Sequence, residues 1–119
     1  MLHGWSASEC EAIVGDYFAM LRAELAGATY SKTRHRLLLA LRLSGRTRAA
    51  IAAMHRNISA VLSEHGYRHI HGYKPKRNSQ PRIEQVVLQY LHKHHEFARR
   101  LRITGRPEDS GRSGLRGFA

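Results

Sequence analysis

The sequence predicts an all-α fold, a compact four-helix domain, on three observations. Apolar side chains recur at spacings of three and four residues in four separate segments, as they do in helices that bury one face. Three of these segments are followed by glycines, Gly27, Gly45 and Gly66, and glycine is common just beyond a helix end. The length of 119 residues allows one domain with a single core.

The first helix is predicted over residues 8–26. Ser6 or Ser8 can cap its start, and Glu9 and Glu11 then stand in the first turn, where carboxylates favour the helix dipole. The apolar positions with helical spacing are Ile13, Tyr17, Phe18, Leu21 and Leu25.

The second helix is predicted to open at Ser31 and to run through Leu43, with Gly45 ending it. Its leucines predict a broad apolar surface: Leu37, Leu38, Leu39 and Leu41. Its polar side is cationic, and we expect that side to make no more than peripheral contacts with phosphates: Lys32, Arg34, His35, Arg36 and Arg42.

The third segment begins at Ser44 or Thr47 and stops at Gly66. Its apolar residues fall on one stripe of an uninterrupted helix: Ile51, Met54, Ile58, Val61 and Leu62. The alternative is a helix-turn-helix that breaks near His55–Asn57, with Asn57 capping a short second helix. The pattern favours the continuous helix.

Residues 67–80 show no sustained period and are predicted to form a loop, because Gly72, Pro75 and Asn78 interrupt regular structure. Pro81 suits the first turn of a fourth helix, which could extend to Leu101 unless it frays at residues 92–95. The helical domain is therefore predicted over residues 5–103, and the Gly-, Ser- and Pro-rich residues 104–119 are predicted to form a flexible linker or tail.

Charge is concentrated in the middle of the chain. Residues 1–30 sum to −3, residues 31–77 to +10 and residues 78–119 to +4, and Glu64 is the one acid between Tyr30 and Asn78. A solvated helix face usually mixes both signs, so this block predicts a polyanion-binding surface with nucleic acid as the leading partner. A membrane surface fits less well, because the aliphatic residues look committed to a core.

Several other functions are not expected from the sequence. Nine histidines and one cysteine, Cys10, offer no complete four-ligand metal set, and acids are too scattered to hold Mg²⁺ for a nuclease. We therefore expect no cofactor, no metal and no catalytic activity of this chain alone. The single cysteine and the lack of a long apolar run or signal peptide predict a soluble protein of the reducing cytoplasm.

The predicted DNA-binding residues lie around the third helix and in the loop that follows it. Cations contact phosphates, arginine and asparagine can also read base edges, and tyrosine can stack on a base. Asn57 is open to two interpretations, as an adenine reader inside a helix or as a structural cap. The predicted set is Arg46, Arg48, His55, Arg56, Asn57, Ser59, Tyr73, Lys74, Lys76, Arg77 and Asn78.

Several short phrases add a family resemblance over residues 5 to about 95. They are Trp5-Ser6, Tyr17-Phe18-Ala19-Met20-Leu21, Tyr30-Ser31-Lys32, His55-Arg56-Asn57-Ile58-Ser59-Ala60-Val61-Leu62 and Gly72-Tyr73-Lys74-Pro75-Lys76-Arg77-Asn78. The module resembles the helical N-terminal DNA-recognition domain of bacterial HNH-type and modification-dependent restriction endonucleases. The chain departs from that pattern at Ala52-Ala53-Met54, where an acid and a larger residue are expected.

The resemblance implies that this chain binds double-stranded DNA, including DNA with 5-methylcytosine, for a nuclease domain further along a longer protein. The base modification would be sensed either by a side chain against the 5-methyl group in the major groove or by a pocket for a flipped base, and the absence of an obvious aromatic cage favours the groove. Two alternatives stay open. One is a protein–protein module that forms homodimers through the fourth helix, and the other is binding of structured RNA.

Overall fold

The computed structural model describes residues 4–43 and 45–103, and it confirms the all-α fold. Five helices form within these residues, and no strand does. They are α1 (Ala7–Leu25), α2 (Lys32–Arg42), α3 (Arg48–Glu64), α4 (Arg82–Lys93) and α5 (His95–Leu101). The predicted tail at 104–119 lies outside the described residues.

Side-chain caps fix where the first three helices begin. Ser6 and Glu9 form a reciprocal capping box at α1, which satisfies two backbone N–H groups at once. The Ser31 hydroxyl accepts from the Arg34 N–H at α2, and the Thr47 hydroxyl accepts from the Ala50 N–H at α3. Thr47 is thus the start of α3, and the predicted starts of all three helices are confirmed to within one or two residues.

The third segment is one continuous helix, so the helix-turn-helix alternative is wrong. Residues 55–57 lie inside α3, and Asn57 is in the helix interior rather than at a cap. The predicted apolar stripe is buried throughout, as Ile51, Met54 and Ile58 illustrate with exposures of 0%, 1% and 0%. The helix ends at Glu64 with His65 as its C-cap, and Gly66 follows with φ of 81°, a left-handed conformation that glycine adopts without steric cost.

The core lies where α1 packs against α3 and α4. Tyr17 and Phe18 are its largest fully buried side chains. The Tyr17 hydroxyl accepts from the Ile70 N–H at 2.8 Å and lies 2.7 Å from the Ser59 hydroxyl, so it satisfies polar groups of the loop and of α3. Phe18 stacks on Tyr90 of α4 with ring centroids 4.2 Å apart. One pair of adjacent α1 residues therefore joins α1 to three other parts of the fold.

The apolar surface predicted for α2 is only partly correct. Leu39 is buried, at 2% exposure, whereas Leu37, Leu38 and Leu41 are 45%, 50% and 80% exposed. The reason is position, because α2 is a peripheral helix that contacts α1 and α3 on one side and makes no contact with α4 or α5. Leucines on its far side have no neighbouring element to cover them.

The fourth predicted helix is divided at His94, whose φ of −116° and ψ of 56° are not helical. The predicted interruption near residues 92–95 is therefore a break between α4 and α5, and helical structure continues to Leu101. The apolar residues Ile83, Val87 and Leu91 are buried inside the domain, where α4 packs on α1 and α3. Tyr90 on the same helix and His94 at its C-cap are partly exposed, and the homodimer alternative stays a prediction.

Candidate nucleic-acid interface

An open cationic cleft lies between α2, the first half of α3 and the loop that follows α3. It has a volume of about 660 Å³, and it is lined by Arg36, Arg48, Ala49, Ala52, Arg56, Gly72, Tyr73 and Lys74. Four of these residues are cations, and within residues 4–43 and 45–103 no acid contributes to the lining. We call this feature the basic cleft.

Helical spacing brings Arg48, Ala52 and Arg56 onto one face of α3, since they are separated by four residues each. The two arginines are therefore about 12 Å apart along the helix axis. Between them, Ala49 and Ala52 contribute only methyl groups, so no large side chain fills the basic cleft there. Neither arginine forms a side-chain hydrogen bond or ion pair with another described residue, which leaves both guanidinium groups available to a ligand.

The loop is fastened to α2 on the opposite side of the basic cleft. Arg36 donates a 2.9 Å hydrogen bond to the hydroxyl of Tyr73. Lys32 lies 4.9 Å above the centroid of the Tyr73 ring and donates to the Gly72 carbonyl at 3.2 Å. Burial raises the pKa of Tyr73, so its hydroxyl is neutral at physiological pH. Arg36 thus serves the cleft both as a cation and as a clamp on the loop.

The loop is also fastened to α3. The Lys76 N–H donates to the Arg56 carbonyl at 3.1 Å, which aligns residues 74–76 beside the helix. Lys74 and Lys76 are both exposed, and neither has a side-chain partner among the described residues. The basic cleft and its rim therefore combine cations from α2, α3 and the loop.

Three predicted site residues on α3 are inside the core, so their prediction as DNA contacts is wrong. His55, Asn57 and Ser59 each have 0% exposure. Helix α3 is surrounded by α1, α2 and α4, so more than the aliphatic stripe is covered. Ser59 bonds with the Tyr17 hydroxyl, and the side-chain amide of Asn57 donates to Asn78 in the loop at 2.7 Å.

His55 sits in a small polar cluster beneath the basic cleft. Its Nε2 lies 3.3 Å from Oδ2 of Asp16, and the other oxygen of that carboxylate lies 2.6 Å from Nδ1 of His35. Burial lowers the pKa of His55, while the carboxylate of Asp16 opposes this change. The His55 ring also lies 4.8 Å from the Tyr73 ring, so it supports the loop from below. We interpret His55 as a packing residue.

Arg46 is held by α1 and does not reach the basic cleft. Its guanidinium makes a bidentate pair with Glu9, with Nε–Oε2 and Nη2–Oε1 distances of 2.9 and 2.8 Å. It also lies 4.6 Å from the centroid of the Trp5 ring. The hydrogen bonds from Arg46 lower the pKa of Glu9 to about 2. The prediction of Arg46 as a DNA contact is therefore wrong, because its charge is neutralised inside the fold.

Three of the five predicted loop residues also have structural partners. Tyr73 is 4% exposed and cannot stack on a base. Arg77 bonds to Glu64 at 3.0 Å and to Glu84 at 3.2 Å, so two carboxylates already surround its charge. Asn78 accepts from Asn57 and from the Gln80 N–H. These contacts correct the interpretation of the whole loop as a DNA-reading element.

Four of the predicted residues are exposed or partly exposed and have no side-chain partner among the described residues: Arg48, Arg56, Lys74 and Lys76. Arg36, which the predicted set leaves out, also lines the basic cleft. The signal that could have identified it is its spacing of four residues from Lys32, which puts two cations on the same face of α2.

Metal and membrane features are not seen in the part of the chain that the structure describes. No group of three or more His, Cys, Asp or Glu side chains there is arranged to hold a metal ion. None of the helices at 4–43 and 45–103 has the length and apolar character needed to cross a bilayer. Cys10 is buried in the core, and burial raises its pKa.

Comparisons with known proteins identify no relative. No protein-family model matches the sequence, and no curated protein or solved structure gives a significant match. The resemblance to restriction endonuclease domains therefore stays a prediction.

Proposed function

We propose that this domain binds double-stranded DNA through the basic cleft. The observation that carries the proposal is the convergence of Arg36, Arg48, Arg56 and Lys74, from three elements, on one open surface. Like charges repel, and here no lining acid offsets them, so a polyanion is the ligand that the arrangement fits best. Phosphate contacts of this kind supply most sequence-independent affinity for DNA.

The shape of the basic cleft supports an extended ligand. It is open rather than enclosed, and its apolar floor is limited to alanines, whereas small-molecule sites are usually concave and lined by larger apolar side chains. Arg48 and Arg56 lie about 12 Å apart along α3, a distance that covers several phosphates of one strand at 3.4 Å of rise per nucleotide. Backbone contact along a strand is the mode that fits.

Base reading has fewer candidates than the sequence predicted. With His55, Asn57 and Ser59 buried, Arg48 and Arg56 are the α3 members of the predicted set that still reach solvent. Arginine is the side chain most often used to contact guanine in the major groove. We therefore propose that any sequence preference depends on these two residues and that most of the affinity comes from phosphates.

A role as the recognition domain of a modification-dependent restriction endonuclease extends this proposal, and its support is the sequence resemblance. Binding should be compared among unmodified, hemimethylated and fully methylated duplexes and a duplex RNA, each at two salt concentrations. Binding of the DNA duplexes by the chain supports the proposal. Preference for the methylated duplexes supports the extension, and preference for the RNA overturns the choice of DNA.

A further inference from the structure

A second cationic surface lies where α4 meets α5. It forms a shallow depression of about 430 Å³ whose lining is Arg22, Lys93, His94, His95, Glu96, Phe97, Arg99 and Arg100. Four of these residues are cations and one is an acid. Glu96 pairs with Arg99 at 2.8 Å on an exposed part of the surface, where such a pair is weak. We call this feature the α4–α5 surface.

The backbone break at His94 creates this surface. Because His94 is not helical, α5 starts in a new direction, and its exposed residues Arg99 and Arg100 join Lys93 of α4 around one depression. Arg22 is added from α1 in a fixed position. Its guanidinium lies 3.8 Å from the centroid of the Phe97 ring and donates to the Tyr90 hydroxyl at 3.0 Å.

Helix α1 separates the α4–α5 surface from the basic cleft. On one side of α1, Asp16 contacts His35 of α2 and His55 of α3. On the other side, Arg22 contacts Tyr90 and Phe97. Helix α2, which lines the basic cleft, makes no contact with α4 or α5.

Acids on the α2 side of α1 interrupt the positive charge further. Glu24 accepts from the Tyr30 hydroxyl and from the His71 N–H, which places a carboxylate between the loop and the end of α1. A duplex on the basic cleft would therefore have to bend around the domain and past this carboxylate to reach Arg22. Bending a duplex sharply costs several kcal/mol, on the order of 1–6 for a site of 20–30 base pairs.

From this separation we infer that the domain holds two segments of duplex DNA at once, one on the basic cleft and one on the α4–α5 surface. The inference rests on the proposed function, since both surfaces are assigned to DNA phosphates. It adds that a single domain bridges two duplexes. The residues that carry the second contact are Lys93 and Arg100, which are exposed and have no side-chain partner among the described residues.

A bridging assay tests this inference. One duplex is immobilised through biotin, the full chain is added, and capture of a second, fluorescent duplex is measured. Three double variants are compared: Lys93→Ala with Arg100→Ala on the α4–α5 surface, Arg56→Ala with Lys74→Ala on the basic cleft, and Arg34→Ala with Arg42→Ala as a charge-matched control on α2. Circular dichroism checks that each variant is folded.

We expect the wild-type chain to capture the second duplex and both surface variants to reduce that capture at least tenfold. The control variant should bridge nearly as well as the wild type. The Lys93/Arg100 variant should still bind a single duplex through the basic cleft.

The bridging inference is overturned if the wild type is retained by the immobilised duplex and captures nothing. It is also overturned if the Lys93/Arg100 variant bridges as well as the wild type, because bridging would then come from self-association. An equal loss in the control variant would assign bridging to net charge alone and overturn it as well. Failure of the wild type to bind the immobilised duplex would reject both the inference and the proposed function.

Discussion

The side-chain amide of Asn57, in the middle of α3, donates a 2.7 Å hydrogen bond to the side-chain carbonyl of Asn78 in the loop. Both residues were predicted to contact DNA, and they contact each other instead. The same Asn78 oxygen accepts from the Gln80 N–H at 3.1 Å, and its amide nitrogen lies 3.6 Å from the sulfur of Met54. This network holds the far end of the loop on α3, while Lys32 and Arg36 hold the near end on α2.

Replacing Asn57 with alanine tests whether this residue is structural. The change removes the part-buried hydrogen bond to Asn78, and loss of one such bond costs about 0.5–1.5 kcal/mol. We therefore expect Asn57→Ala to lower the free energy of unfolding by that amount, as measured by urea denaturation. Unchanged stability together with lost DNA binding would restore the interpretation of Asn57 as a base-reading residue.

The Glu9–Arg46 pair predicts a specific dependence of stability on pH. The pKa of Glu9 is about 2 in the folded chain and about 4.5 otherwise, so its stabilising effect is present above pH 4.5 and is lost as the pH falls towards 2. Glu9→Gln should remove about 1–3 kcal/mol at pH 7 and less at pH 3. Urea denaturation at both pH values measures this, and Glu11→Gln is the control, because Glu11 is exposed and has no side-chain partner among the described residues. An equal effect of Glu9→Gln at both pH values would contradict the assignment.

The leucines of α2 provide a direct test of the position of that helix. Leu39 is buried and Leu41 is 80% exposed, although the two residues are only two positions apart. Leu39→Ala should lower the free energy of unfolding by about 2–5 kcal/mol, because it removes core contacts and leaves a cavity. Leu41→Ala should change it by no more than about 0.5 kcal/mol. A large effect of Leu41→Ala would show that another element covers this side of α2.

Two cations of the same loop are expected to differ in role: Lys74 contacts DNA, and Arg77 stabilises the fold. Lys74→Ala should weaken DNA binding and reduce the slope of log K against log salt by about 0.9, the contribution of one phosphate contact. Arg77→Ala should leave that slope unchanged, since Glu64 and Glu84 already pair with Arg77. The slope is measured by fluorescence anisotropy at several salt concentrations. Equal losses in the two variants would show that Arg77 leaves its carboxylates to bind phosphate.

The all-α fold could be predicted because helical periodicity is set by residues that are close together in the sequence. Residues such as Ile13, Met54 and Val87 repeat at spacings set by the helix itself, and all three are buried as their patterns indicated. Leu41 was misplaced because its exposure depends on which helices lie beside α2. That arrangement is a property of tertiary packing, which local spacing does not contain.

The candidate site was less predictable from the sequence. Whether each of its residues is free to bind DNA depends on partners that the fold brings from other segments. Arg77 differs from Lys74 through carboxylates 13 and 7 positions away, and Ser59 is satisfied by a hydroxyl 42 positions away. A count of charges gives Arg46 and Arg48 the same weight. Only the fold shows that Glu9 neutralises the first and leaves the second exposed.

Binding of duplex DNA by the basic cleft is the central claim, and a double variant tests it most directly. The change is Arg48→Ala with Arg56→Ala, and the measurement is the dissociation constant for a fluorescent DNA duplex over a range of salt concentrations. Arg34→Ala with Arg42→Ala serves as the charge-matched control. We predict that the Arg48/Arg56 variant stays folded and loses affinity, and that its salt slope falls by about 1.8 relative to the wild type, while the control keeps the wild-type slope. A folded Arg48/Arg56 variant with wild-type affinity and slope would contradict the claim.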